Sequence, residues 1–167
     1  MKSRSSGASR ALALWLALVF SQHLAAEVLK GIVVSVADGD TITLLDDQRR
    51  QHKIRLGGID APERRQAFGQ VSRSNMADLV FNKAVEVEWH KRDRYDRIIG
   101  KVVVAGEDAG LTQIRMGLAW HYKHYLKDQS PEDQRAYAIA ELAARTAGSG
   151  LWQHSDPQPP WDFRRKR

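Results

Sequence analysis

Residues 41–56, TITLLDDQRRQHKIRL, combine two short segments typical of β-strands with a polar turn between them. In the first segment, Thr41–Leu45, threonine alternates with isoleucine and leucine. In the second, Arg49–Leu56, the apolar Ile54 and Leu56 alternate with basic residues. A period of two places alternate side chains on opposite faces of a strand, and three polar residues are enough for a hairpin connection. The stretch therefore predicts a β-hairpin with one buried face.

Three further strands and one helix are expected around this hairpin. Val28–Val36 is a mostly apolar run before it, and Ile98–Val104 is rich in β-branched residues. Between residues 85 and 89, apolar side chains alternate with glutamates, as in a strand buried on one side. A helix is predicted from Gln66 to about Asn82. Its apolar residues fall within one half of a helical wheel, namely Phe68, Val71, Met76, Leu79 and Val80.

The last third of the sequence has the pattern of helices. Leu111–Met116 is a short helical segment that ends at Gly117. A second helix starts at Ser130-Pro131, where serine is a good cap and proline suits the first position, and it ends at Gly148. Its predicted buried stripe is Ala136, Ile139, Ala140 and Ala143. The predicted fold is α+β and mainly β: a five-stranded Greek-key barrel of the OB type with about three helices packed on it.

The two ends of the chain have different compositions from the middle. Three basic residues precede the apolar run Ala11–Phe20, and Ala25-Ala26 offers a small-residue cleavage site. This pattern predicts a signal peptide over residues 1–26 and a periplasmic or secreted protein, with an uncleaved membrane anchor as the alternative. Residues 153–167 contain three prolines and end in Arg-Arg-Lys-Arg, which predicts a flexible, basic tail. The domain itself is then expected at residues 27–152.

The charge of the chain is moderately positive. The 167 residues carry a formal charge of +6, but the predicted leader holds three of the 26 Lys and Arg and none of the 20 Asp and Glu, which leaves +3. That balance suits a polyanionic partner without requiring one. The sequence has no cysteine, so disulfides and lipid attachment through cysteine are excluded and the core alone must stabilise the domain.

Carboxylates and arginines occur at the predicted strand ends. They lie in Asp38-Gly39-Asp40-Thr41, at Arg55, in Asp60-Ala61-Pro62-Glu63 and at Arg97. Carboxylate oxygens bind hard divalent cations, and guanidinium groups bind phosphates through paired hydrogen bonds. If the barrel brings these groups together, the combination points to hydrolysis of phosphodiesters.

Three motifs in this order resemble the staphylococcal nuclease (thermonuclease) family. They are DGDT at 38–41, IRLGGIDAPE at 54–63 and DRYDRIIGK at 93–101. DGDT alone is a weak signal, because acidic turns with glycine are common, whereas the ordered set is much more specific. The resemblance extends from about Lys30 to about Trp152.

The resemblance implies a calcium site. Asp40, Asp60 and the backbone carbonyl of Ala61 are the expected ligands, and Asp38 and Thr41 are supporting residues. Calcium takes about six to eight oxygen ligands, so such a site has room for water and a substrate phosphate. The histidines show no spacing typical of a zinc site.

The resemblance also implies roles for three catalytic residues. Glu63 is expected to orient or deprotonate the attacking water, and Arg55 and Arg97 are expected to stabilise charge on the phosphate. Two alternatives stay open from the residues alone. Glu63 could be an acid near the start of a helix, and Arg55 could form a surface ion pair with a glutamate of the fourth strand, Glu86 or Glu88.

Substrate contacts are expected from two further segments. Arg94 and Tyr95 match positions where the family contacts a sugar and a phosphate. In the segment 120–125, Lys123 aligns nearest to a second stacking tyrosine of the family, with Tyr122 and Tyr125 as alternatives. Aromatic and basic side chains together suit single-stranded nucleic acid.

The function implied is an exported, calcium-dependent and sugar-nonspecific endonuclease. The expected partners are DNA and RNA, preferably single-stranded, and the expected products have 3′-phosphate ends. The protein is predicted to be monomeric and free of stable membrane association after leader cleavage. The alternative is a catalytically silent OB-type module that binds nucleic acid or another anionic ligand.

Overall fold

A computed structural model describes residues 27–166 and shows a closed β-barrel built from five strands. The strands are β1 (Glu27–Asp38), β2 (Thr41–Leu45), β3 (Gln51–Leu56), β5 (Ala84–Arg92) and β6 (Ile98–Val104). Three two-residue strands are added: β4 (Ile59–Asp60), β7 (Glu107–Asp108) and β8 (Trp120–His121).

One parallel pairing closes the barrel. β1 pairs antiparallel with β2 and β5, β2 with β3, and β5 with β6. β3 then pairs parallel with β6, and Ile54 lies opposite Ile98. β4 pairs with β8 outside the barrel, where Asp60 lies opposite Trp120. The predicted fold class is confirmed, because the chain is α+β and mainly β, with a closed barrel of mixed strands.

Helices pack around the barrel, one between β4 and β5 in the chain and the others after β7. They are α1 (Gly69–Val80), α2 (Ala109–Arg115), α3 (Pro131–Thr146) and α4 (Pro160–Arg165). Two 3-10 segments, Lys123–Asp128 and Gly150–Gln153, connect them. The barrel interior is filled by branched apolar side chains, including Val33, Ile42, Ile54 and Val87, which are fully buried. Burial of each such side chain stabilises the fold by about 1.5–3 kcal/mol.

Helix α1 starts later than the sequence predicts, and one residue of its predicted buried face is exposed. It begins at Gly69 because Phe68 has a left-handed backbone (φ 64°), and the Gly69 amide donates to the Gln66 carbonyl across a turn. Met76 is buried as predicted, but Val71 is 54% exposed. Ser72 is buried in its place because its hydroxyl donates a hydrogen bond to the carbonyl of Leu118.

The buried face of α3 also differs from the predicted stripe. Ile139 is 69% exposed, whereas Tyr137 and Glu141 are buried beside Ala140. Polar contacts fix this rotation: the Tyr137 hydroxyl donates to a carboxylate oxygen of Asp108 at 2.8 Å. A buried polar group without a partner costs about 1–3 kcal/mol, so the buried hydroxyl of Tyr137 requires a partner of this kind.

The segment predicted as a flexible, basic tail contains a helix, because residues 160–165 form α4. Pro160 is buried, and Trp161 packs edge-on against Trp120 with ring centroids 5.5 Å apart. The carbonyl of Gln158 accepts a hydrogen bond from the Gln66 side chain. These contacts hold a segment whose composition alone resembles a linker. The predicted signal peptide lies outside the described residues.

No helix within residues 27–166 is long and apolar enough to cross a membrane.

Candidate active site

The turn between β1 and β2 places the first two acids. Oδ1 of Asp38 accepts the backbone amide of Asp40 at 3.1 Å, which closes the turn. The carbonyl of Gly39 accepts the side-chain amide of the buried Gln113 at 2.8 Å. A Cβ on Gly39 would lie 1.9 Å from Oγ of Ser72, so only glycine fits between the turn and α1. The position of Asp40 is therefore fixed by helices α1 and α2.

Asp40 and Asp60 meet at the ends of β2 and β4. Asp40 is 5% exposed and Asp60 is 0% exposed. The backbone amide of Ala61 donates to Oδ2 of Asp40 at 2.6 Å, and Thr41 donates its hydroxyl to Oδ1 of Asp40 at 3.1 Å. Residues that are twenty positions apart in the sequence thus share one small acidic centre.

Arg55 joins these two carboxylates. Its Nη2 lies 2.9 Å from Oδ1 of Asp60 and 3.3 Å from Oδ2 of Asp40. Its Nη1 donates to the carbonyls of Leu56 and Ile59 at 2.9 and 3.0 Å. Arg55 therefore pairs with Asp60 and Asp40 and not with Glu86 or Glu88, the alternative that the sequence left open.

Burial of the acids opposes their ionisation. Burial raises the pKa of Asp60, although the guanidinium groups of Arg164 and Arg55 act in the opposite direction. Burial, followed by the charge of Asp40, raises the pKa of Asp38 to about 7. Close carboxylates with raised pKa values gain from a nearby cation, because a positive charge favours their ionised form.

The donor set fits a hard divalent cation. Between residues 27 and 166, no three His, Cys, Asp or Glu side chains are arranged as a metal site. Two buried carboxylates, however, provide oxygen ligands at one point, and a backbone carbonyl, water and substrate can complete a flexible oxygen shell. Asp40, Asp60 and Ala61 are the residues that would hold the ion.

Glu63 lies at the rim of the acidic centre. Its side chain is 32% exposed, and its Oε1 accepts a hydrogen bond from Nη1 of Arg164 at 2.9 Å. Its backbone amide donates to the side chain of Gln66 at 3.1 Å. Helix α1 begins six residues later, at Gly69, so Glu63 is not in the first turn of that helix. The position suits a carboxylate that contacts water.

One cavity of about 920 Å³ contains most of the predicted site. Its lining includes Asp38, Asp40, Thr41, Arg55, Asp60, Ala61, Glu63, Arg94, Tyr95, Arg97, Tyr122 and Tyr125. Lys123 lines a different cavity, and its ammonium group binds Glu141 at 3.1 Å.

The turn between β5 and β6 forms a basic wall of the cavity. Nε and Nη2 of Arg97 both lie 2.8 Å from Oδ2 of Asp93, whose Oδ1 accepts the backbone amides of Tyr95 and Arg97. Arg97 therefore faces the cavity without an ion pair to Asp40 or Asp60. Tyr95 is 63% exposed, with the guanidinium carbons of Arg94 and Arg97 at 4.8 and 5.6 Å from its ring centroid.

Aromatic side chains form a further wall. The rings of Tyr122 and Tyr125 pack edge-on with centroids 5.5 Å apart. Nζ of Lys91 lies 5.4 Å from the centroid of the Tyr125 ring. A cavity with acidic, basic and aromatic walls has groups for a cation, a phosphate and a base.

Sequence reasoning missed three residues that contact the predicted site. Asp93 orients Arg97, Gln113 fixes the turn at Gly39, and Arg164 binds Asp60 and Glu63. Asp93 stands in the motif DRYDR, so its acid next to the arginines was a usable signal. Gln113 and Arg164 gave none, because their contacts span 74 and 104 residues.

The barrel and this cavity define a hydrolase of nucleic-acid phosphodiesters, and comparisons with known proteins agree. Residues 53–154 match the family described as staphylococcal nuclease homologue. The "Micrococcal nuclease" of Shigella flexneri is 39% identical over 174 aligned positions, covering 99% of this chain and 96% of that protein. An "Uncharacterized endonuclease" of Escherichia coli is 38% identical over 150 positions, covering 89% and 94%. Another, of Haemophilus influenzae, is 38% identical over 134 positions, covering 80% and 72%.

This chain belongs to the staphylococcal nuclease family, and it is a nuclease that hydrolyses phosphodiester bonds. Its substrates are nucleic acids, and nucleases of this family depend on a metal ion. The predicted family and enzyme class are confirmed. The role of each site residue stays a prediction.

Proposed function

We propose that the protein is an exported, calcium-dependent endonuclease that cleaves DNA and RNA and leaves 3′-phosphate ends. The observation that carries the proposal is the pair of buried carboxylates, Asp40 and Asp60, bridged by Arg55 beside Glu63 in one cavity. An all-oxygen centre of this kind favours calcium over metals that prefer nitrogen or sulfur.

The bound cation would supply positive charge to the scissile phosphate. Arg55 and Arg97 would act on the same phosphate from two sides, since both line the cavity. The positive charge of each guanidinium would stabilise oxygens on which negative charge grows as water attacks. Their effect should therefore be larger on turnover than on substrate binding.

Glu63 would accept a proton from the attacking water. The new bond joins the water oxygen to phosphorus, and the bond from phosphorus to the 5′ oxygen breaks. The 5′ oxygen then takes up a proton from solvent, and the phosphate stays on the 3′ side. The partly exposed position of Glu63 at the cavity rim supports this role, because a general base must reach water.

Low sequence specificity and a preference for single strands follow from the walls of the cavity. Phosphate and sugar contacts carry little information about base sequence. The exposed Tyr95 and the partly covered Tyr122 and Tyr125 offer faces on which unpaired bases can stack. Lys123 would contact the strand from its neighbouring cavity.

Export rests on the leader pattern of residues 1–26, which supports a periplasmic or secreted location. We include a monomeric state in the proposal, since every group invoked for the reaction lies on one chain.

The test is cleavage of a circular single-stranded DNA, a duplex and an RNA by the purified protein. Calcium should support cleavage of all three, fastest on single strands, and a calcium chelator should stop it. The cut strands should resist ligation until a phosphatase removes the 3′-phosphate and a kinase then phosphorylates the 5′-hydroxyl. Full activity in chelator, or products with 5′-phosphate ends, would contradict the proposal.

A further inference from the structure

Arg164 places a positive charge on the acidic centre from the C-terminal helix. Its Nη2 lies 2.8 Å from Oδ2 of Asp60, and its Nη1 lies 3.1 Å from Oδ1 of the same carboxylate. The same Nη1 lies 2.9 Å from Oε1 of Glu63. One guanidinium thus binds both the predicted metal ligand and the predicted base. Asp60 is 1% exposed in its side chain, so this contact covers the oxygens that a cation needs.

A divalent cation and Arg164 cannot both use these oxygens. Oδ1 of Asp60 also accepts Nη2 of Arg55 at 2.9 Å, so both oxygens of the carboxylate are engaged. Two positive groups within a few ångströms also repel each other strongly in a partly buried site. Arg164 contacts both oxygens of Asp60, whereas Arg55 contacts Oδ1 alone, so binding of the cation to Asp60 requires Arg164 to leave. This step rests on the proposed function, in which Asp60 is a ligand.

The same helix also covers an aromatic wall of the cavity. Trp161 lies one helical turn before Arg164, and residues three apart share a helix face. The Trp161 ring lies 5.3 Å from the Tyr122 ring, tilted by 33°. A base that stacks on this face of Tyr122 must displace the indole. Helix α4 thus occupies a cation position and a base position together.

We propose that α4 is an autoinhibitory strap. In the free enzyme, the guanidinium of Arg164 takes the place of the cation and forms ion pairs with Asp60 and Glu63. Trp161 covers the face of Tyr122 on which a base would stack. Divalent cation and a nucleic-acid strand displace the strap, and the competition lowers the apparent affinity of the free enzyme for the cation. A binding-competent state that is only partly populated weakens apparent affinity in proportion to its population.

Calcium binding measured by titration calorimetry, without nucleic acid, tests the strap directly. Arg164→Gln should bind calcium about tenfold tighter than wild type, the size expected for loss of a charge-assisted bidentate pair that is partly exposed. The matched control is Arg165→Gln, which removes the same charge one residue away; Arg165 pairs with Asp162, not with the acidic centre. Its affinity for calcium should stay near the wild-type value.

Trp161→Ala provides a second variant that leaves every charge in place. It should also tighten calcium binding, because the strap loses its packing on Tyr122 and Trp120. In cleavage assays, Arg164→Gln should need less calcium for half-maximal rate and should match the wild-type rate at saturating calcium. Circular dichroism of each variant verifies that the barrel is intact.

The outcomes separate this inference from the proposed function. If wild type binds calcium and Arg164→Gln binds it no more tightly, the strap alone is overturned. A fall in the rate of Arg164→Gln at saturating calcium, with unchanged calcium affinity, also overturns it, because Arg164 is then a group that assists the reaction. Absence of calcium binding in wild type and all variants overturns the calcium site and the strap together.

Discussion

Nη2 of Arg55 lies 2.9 Å from Oδ1 of Asp60, and this contact ties the end of β3 to the end of β4. The Nη1 atom of the same guanidinium donates to the carbonyls of Leu56 and Ile59. Arg55 is 14% exposed in its side chain, so these bonds are shielded from water. One side chain therefore shapes the loop between the two strands and balances the charge of the acidic centre.

Replacement of Arg55 by lysine should affect both activity and stability. An ammonium group cannot make the four contacts of this guanidinium, so acceptors are left without donors. We expect the cleavage rate to fall by about 10²–10³ and the free energy of unfolding to fall by about 1–3 kcal/mol. Steady-state kinetics and urea unfolding measure the two effects. Exposed Arg135→Lys is the control, and wild-type turnover in Arg55→Lys would remove Arg55 from the reaction.

Replacement of Glu63 by glutamine should separate chemistry from folding. The amide keeps the size of the side chain but cannot accept a proton from water. We expect kcat to fall by about 10²–10⁴, with KM nearly unchanged. The exposed Glu107→Gln serves as a charge-matched control. If Glu63→Gln keeps more than a tenth of the wild-type kcat, Glu63 is not the base.

A methyl group at Gly39 should disturb the acidic turn. A Cβ there meets Oγ of Ser72 at 1.9 Å and Cβ of Ala61 at 2.8 Å, so the turn or α1 must move. We expect Gly39→Ala to lower the free energy of unfolding by about 1–3 kcal/mol and to reduce cleavage. Gly57→Ala is the matched control, since its nearest neighbours lie at 3.7 Å. Equal stability of the two variants in urea unfolding would contradict this close packing.

The buried His121 should make stability depend on pH. Burial lowers the pKa of His121 from its usual 6.5. Its Nε2 bonds to Oε1 of Gln129 at 3.0 Å, and its Nδ1 is buried without a hydrogen-bond partner among the described residues. Because the unfolded chain then binds more protons than the folded one, the free energy of unfolding falls as pH drops below about 6.5.

Urea unfolding of wild type and His121→Gln from pH 8 to pH 5 measures this contribution. The wild type should lose stability relative to the variant as pH decreases through this range. His90→Gln, at an exposed position, controls for loss of an imidazole. If the difference in free energy of unfolding between wild type and His121→Gln does not change with pH, His121 does not contribute to the pH dependence of stability.

The strands were more predictable than the helix faces. Thr41–Leu45 and Ile98–Val104 have the predicted bounds, because alternation and β-branched residues reflect local burial on one face. The stripe of α3 was wrong at Ile139, which is exposed while Glu141 is buried. Helix rotation there depends on partners for Tyr137 and Glu141 that lie on distant elements. Such contacts have no signal in the local pattern.

By itself, the sequence determined the fold class and the set of groups available for chemistry. The alternation of apolar and polar residues in the strands and the ordered motifs with Asp40, Arg55 and Asp60 are local patterns. They can be recognised without knowledge of the tertiary structure. Only the tertiary structure decided which groups pair. The contact of Arg164 with Asp60 spans 104 residues, and it forms because packing of Trp161 on Trp120 and Tyr122 brings a basic segment next to a buried carboxylate.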